Sequence, residues 1–158
     1  MTDQPKPRLL LKKSLLQTIR NAIGVPLFRN LYVEQDGKEF DALKNGDLSC
    51  AAFVSGILAM YGLIGEGHAT VDNTVKHMRE VGWSEADLNS PEAGDVVVWD
   101  EVQYTDGPHK HTGFYIGDGQ AISNNDKLRS PQQHEWTFDG QRQPTILLRY
   151  DFNKKENA

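Results

Sequence analysis

Residues 111–123 read His111-Thr112-Gly113-Phe114-Tyr115-Ile116-Gly117-Asp118-Gly119-Gln120-Ala121-Ile122-Ser123. Two runs rich in β-branched and aromatic residues flank Asp118-Gly119, a dipeptide that tolerates the positive φ angles of a tight hairpin turn. The spacing therefore predicts two antiparallel strands. A further apolar run, Val96-Val97-Val98-Trp99, follows the turn Pro91-Glu92-Ala93-Gly94, and Thr145–Tyr150 reads as a last strand. Upstream the apolar period is helical instead. Leu11, Leu15, Leu16, Ile19, Ala22 and Ile23 form one stripe, with Gly24 and Pro26 as its stop. Cys50, Phe53, Val54, Ile57, Leu58 and Tyr61 form a second, with Ser49 or Asp47 as its cap and Gly62 as its end. A third helix is expected from about Asp72 to Val81. Helices first and antiparallel strands second predict an α+β domain with helices packed on one face of a sheet.

The chain has 158 residues, enough for one domain with a real core. We expect that domain over residues 8–150, with tails at 1–7 and 151–158. Net charge is −5, from 17 Lys and Arg against 22 Asp and Glu. That balance argues against nucleic acid or an anionic membrane as partner. A single cysteine rules out a disulfide scaffold. Lys12 and Lys13 interrupt the only signal-like apolar run near the N-terminus, so a cytoplasmic location is the expectation.

Cys50 opens a helix, where unpaired N–H groups and the helix dipole favour a thiolate. With an imidazole beside it and a polar group orienting the ring, such a cysteine is a nucleophile for acyl transfer. As a lone cysteine on an apolar stripe, it also fits an inert core position. Among the five histidines, His111 stands out, because a strand holds it rigidly. His68, His77 and His134 carry no supporting pattern. A simple two-residue hairpin loop pairs Gly117 with Gln120, Tyr115 with Ile122 and Gly113 with Asn124. Asn124 then lies beside His111 and can accept its N–H, whereas one bulged residue would hand that place to Ser123. His109 and His111, with Asp106 or Cys50, do not complete a metal-ligand pattern, so neither metal nor cofactor is expected.

Three segments in order resemble the NlpC-type cysteine peptidases, relatives of the CHAP amidases on a papain-like core. Ser49-Cys50-Ala51-Ala52-Phe53-Val54 is similar to their Asp-Cys-Ser-Gly-Phe-Val helix start. Pro91-Glu92-Ala93-Gly94-Asp95-Val96 is similar to their Pro-x-x-Gly-Asp strand entry, and His111–Gly119 to their His-Val-Gly-Ile-Tyr-Ile-Gly-x-Gly strand and turn. Ser49 stands where the family has an acidic residue, and Ala51-Ala52 where it has Ser-Gly. The resemblance implies a papain-like α+β fold and hydrolysis of amide bonds, typically in peptidoglycan stem peptides. It implies Cys50 as nucleophile, His111 as base, Asn124 or, by family spacing, Ser123 as the third group, and Tyr32 beside the oxyanion; the expected catalytic set is Cys50, His111 and Asn124. A catalytically inactive binding module on the same fold and an acyltransferase are the alternatives.

Overall fold

The computed structural model describes residues 4–104 and 106–157 of the chain. Helix α1 (Leu11–Asn21) is followed by a small hairpin, β1 (Tyr32–Gln35) and β2 (Lys38–Asp41). Helices α2 (Cys50–Met60) and α3 (Val71–Glu80) come next, then β3 (Ser84–Glu85), β4 (Val96–Tyr104), β5 (Gly107–Gly117), β6 (Gln120–Asn125), β7 (Ser130–Glu135), β8 (Pro144–Arg149) and α4 (Phe152–Glu156). Strands β3–β8 form one antiparallel sheet in the order β3-β8-β4-β5-β6-β7. The protein is α+β, with the three expected helices in place.

The sheet is covered on both faces. Val96, Val98, Phe114, Ile122 and Leu148 pack against Leu15, Ile19, Phe53 and Ile57 of the helices. Val97, Trp99, Tyr115, Ala121 and Leu147 point the other way, against Leu88, Trp136 and Phe138 from the loops. This two-sided burial is why residues 96–99 are uniformly apolar rather than alternating. Trp99 is fully buried and donates its indole N–H to the Trp136 carbonyl at 2.6 Å.

Three expectations need correction. Residues 151–158 do not form a free tail over their described length: α4 docks, Phe152 is buried, and Glu156 accepts from the Lys12 backbone N–H at 3.2 Å. Ser49 occupies the N-cap of α2 but makes no capping bond, and its buried hydroxyl has no hydrogen-bond partner among the described residues. The hairpin register also differs. Gly117 does pair with Gln120, but a bulge at Ile116 pairs Tyr115 with Ala121 and Gly113 with Ser123. One extra residue on β5 moves every pairing beyond the bulge by one, so Ser123 replaces Asn124 on the face of His111.

Candidate active site

Cys50 is the first residue of α2 and is half-buried. His111 lies on β5, and both residues line one cleft of about 420 Å³, together with Asn124, Phe138 and Arg142. That volume suits a small peptide or drug-sized ligand. Among the described residues no hydrogen bond joins Cys50 to His111, so the two meet across the cleft rather than as a formed pair.

His111 is held from behind. Its Nε2 lies 2.8 Å from Ser123 Oγ, and that oxygen lies 2.7 Å from His134 Nε2. His134 Nδ1 lies 2.7 Å from the Glu135 carbonyl oxygen. A carbonyl only accepts, so Nδ1 of His134 carries the proton. Burial pushes His134 down from its ordinary value, so the ring is neutral and its Nε2 is an acceptor. Ser123 must then donate to His134 and accept from His111 Nε2–H. The remaining nitrogen of His111, Nδ1, is left with its lone pair free: the chain of three bonds selects the basic tautomer. Trp99 and Phe138 flank the His111 ring at centroid distances of 5.3 and 5.8 Å.

Burial is also the largest influence on the site's ionisation. It pushes His111 down to about 3, with the positive charge of Arg142 adding to the effect. Burial pushes the Cys50 thiol up, against the backbone N–H groups of Thr112 and Ala51 and the charge of Arg142, which pull it down. The helix start alone predicts a lowered thiol; desolvation outweighs it here. At neutral pH the resting site therefore holds a thiol and a neutral imidazole.

Asn124 lines the cleft but donates its amide N–H to the Gly46 carbonyl at 2.8 Å, which fixes the loop before α2 rather than the histidine. Tyr32 is 74% exposed on β1 and does not line the cleft. Asp106 takes His109 at 2.8 Å, separating that imidazole from His111. Two residues escaped the sequence reading. His134 sits on an edge strand whose Pro131 and glutamines give no strand pattern. Arg142 lies in a loop, donating to the carbonyls of Asp100 at 2.8 Å and His109 at 3.3 Å.

Gly113 explains the glycine of the His-x-Gly-x-Tyr run. A Cβ there would lie 2.7 Å from the Ile122 carbonyl oxygen, 2.7 Å from Ser123 Cβ and 3.1 Å from the Trp99 ring. Gly113→Ala is expected to cost about 1–3 kcal/mol, read as a lowered melting temperature, because backbone and a fully packed indole must shift. The site also yields a ranking: Ser123→Ala is expected to lower kcat about tenfold or more, since His111 loses its tautomer lock. Asn124→Ala is expected to act chiefly on the melting temperature, by about 1–3 kcal/mol, since it leaves the Gly46 carbonyl unpaired. Steady-state kinetics and melts on both variants check the order.

The architecture is that of the NlpC/p60 domains. Fifteen solved chains match this structure. One is the crystal structure of the NlpC/p60 domain of the peptidoglycan hydrolase SagA, with a TM-score of 0.51 and 17% identity over 88% of this chain and 98% of that one. That likeness is to an NlpC/p60 fold. No family model and no curated protein matches the sequence.

Proposed function

We propose that the chain is a cysteine peptidase or amidase that cleaves amide bonds through an acyl-enzyme, with peptides of the bacterial cell wall as its substrate class. The observation that carries this reading is His111, locked as the Nδ1-basic tautomer by Ser123 and His134, in the same cleft as a cysteine at a helix N-terminus. The cleft wall holds both signs of charge, Asp47, Glu101 and Asp126 against Arg142, with Lys110 and Asp72 already paired at 2.7 Å, which suits a short peptide with free ammonium and carboxylate groups. The SagA domain belongs to a peptidoglycan hydrolase, which favours the wall among peptide sources.

In this reading His111 Nδ1 takes the Cys50 proton as sulfur attacks the substrate carbonyl carbon. Backbone N–H groups at the start of α2 stabilise the oxyanion. The tetrahedral adduct collapses to a thioester as His111 returns the proton to the departing amine. Water then gives a proton to His111 and attacks the thioester, and the proton returns to sulfur as the carboxylic acid leaves.

The experiment is hydrolysis of purified muropeptides, followed by mass spectrometry, together with iodoacetamide alkylation of Cys50 from pH 5 to 10. New peptide termini that appear with the wild type and not with Cys50→Ala support the reading. An intact digest would overturn it and leave a non-catalytic binding module, the reading that the upshifted thiol and the unjoined Cys50 and His111 favour. Alkylation is expected to rise only at and above the ordinary thiol range. A pH profile checks the imidazole: with His111 at about 3, kcat/KM is expected to hold from pH 7.5 down to 5, because the base stays unprotonated. A loss with a midpoint near the ordinary imidazole value of 6.5 would show that His111 is not desolvated.

A further inference from the structure

Away from the cleft, the loop between α2 and α3 brings Glu66 and His68 against His77 of α3. One potential ligand atom from each of the three lies within 4.8 Å of the others. His68 Nε2 and His77 Nδ1 are 2.7 Å apart, and the rings meet edge to face at 5.0 Å. Both imidazoles are half-buried, while Glu66 is exposed.

The arrangement is built from below. Ser55, fully buried on α2, accepts the His68 backbone N–H at 2.7 Å and lies 3.2 Å from the His68 carbonyl. His77 stands in the last turn of α3, whose start is capped by Thr70. Gly65 lies flat against His77: a Cβ there would come within 3.1 and 3.2 Å of its Cε1 and Nε2. Loop and helix thus hold two imidazole nitrogens face to face, with a carboxylate on the solvent side.

Two neutral imidazoles so placed can share one proton, which uses one lone pair of the two. A divalent ion uses both and takes the carboxylate as well. Zn²⁺ binds nitrogen at about 2.0–2.1 Å with tetrahedral angles, which sets neighbouring ligand nitrogens roughly 3.4 Å apart. The two rings need only open by a little over half an ångström to admit it, a rotation of side chains on a fixed backbone. Two histidines and a glutamate leave the fourth position for water, on the exposed side. None of these residues takes part in the Cys50–His111 chemistry.

We propose that Glu66, His68 and His77 form a divalent transition-metal site, of the type that Zn²⁺ fills, which staples the α2–α3 loop to α3. The chain continues from His68 directly into Ala69, Thr70 and Asp72, which line the cleft. An ion at this site therefore anchors one wall of that cleft, whatever the cleft does.

The test is calorimetric titration of Zn²⁺, and absorption spectroscopy of Co²⁺, into the metal-free full chain. The Cys50→Ser protein serves as parent, so that the thiol does not compete. The expected result is one ion per chain and visible Co²⁺ bands with no sulfur-to-metal charge-transfer band. His68→Gln and His77→Gln are each expected to weaken binding about 100-fold or more, and Glu66→Gln about tenfold. Zn²⁺ is also expected to raise the melting temperature of the parent and not of His77→Gln. Variant melts without metal show whether each variant folds, and the Glu66→Gln change, on an exposed side chain, keeps the test decisive if a histidine variant does not. Absence of one-to-one binding, binding unchanged by all three substitutions, or loss of binding on His109→Ala instead would overturn the site.

Discussion

Cys50→Ala is expected to abolish amide hydrolysis, a fall of about a million-fold in kcat, the scale on which removing a covalent nucleophile acts. The fold is expected to survive. Cys50 packs at the edge of the helical core and is only half-buried, so losing its sulfur should cost about 1 kcal/mol. His111→Ala acts on the same step and is expected to cost about 10²–10⁴-fold, the usual worth of a positioned general base. Because the two act as a unit, the double variant is expected to be no worse than Cys50→Ala alone. Single-turnover assays with a peptide amide, beside thermal melts, check both points. Residual turnover within about tenfold of wild type in Cys50→Ala would remove the acyl-enzyme from the account. The depressed His111 and the raised Cys50 make the prediction sharper. A resting thiol and neutral imidazole react only when attack and proton transfer are concerted, so neither partner retains much activity without the other.

The helices and the central strands were legible because their apolar periods are strong and local. The stripe from Cys50 to Tyr61 reads as α2 within one residue of its end, and Asp118-Gly119 marks the β5–β6 turn correctly. The orienting residue was not legible to the same degree. Its identity depends on a single bulged residue, Ile116, and the alternation of strand faces makes a one-residue slip decisive between Asn124 and Ser123. His134 was hidden for a different reason. Strand β7 is an edge strand of Ser130-Pro131-Gln132-Gln133-His134-Glu135, whose pairing comes from β6 and not from any pattern of its own. The ionisation of Cys50 was not legible because a helix start is visible in sequence, whereas the desolvation that outweighs it depends on the tertiary fold. The sequence likewise showed that Asp95 belongs to a motif without showing its purpose.

That purpose is structural, and it carries the largest stability effect expected here. Asp95 is 2% exposed and receives Arg149 in a two-pronged pair, Nη2 to Oδ2 at 2.7 Å and Nε to Oδ1 at 2.8 Å. Oδ2 also accepts the Glu92 backbone N–H at 2.7 Å. The Asp95 carbonyl accepts the Tyr115 N–H at 2.9 Å, so the residue ties the turn before β4 both to β8 and to the strand that carries His111. Asp95→Ala removes one partner of a largely buried pair and leaves the Glu92 amide and the Nε side of the Arg149 guanidinium without their acceptor, while Arg149 keeps Glu92 Oε1 and the Ser90 carbonyl, each at 2.9 Å. The expected cost is about 3 kcal/mol, at the lower end of the range for such a break because Arg149 is partly exposed. For a chain of this length that lowers the melting temperature by about 6–12 °C. Asp95→Asn is expected to cost less, since it keeps an oxygen for the Glu92 amide. Adding Arg149→Met to Asp95→Ala is expected to restore part of the loss, because the guanidinium N–H groups that had lost Asp95 are then gone and Glu92, which is exposed, turns to water. Melts of the three variants test this. A loss below about 1 kcal/mol in Asp95→Ala would show that the Gly-Asp step serves the turn through backbone geometry alone.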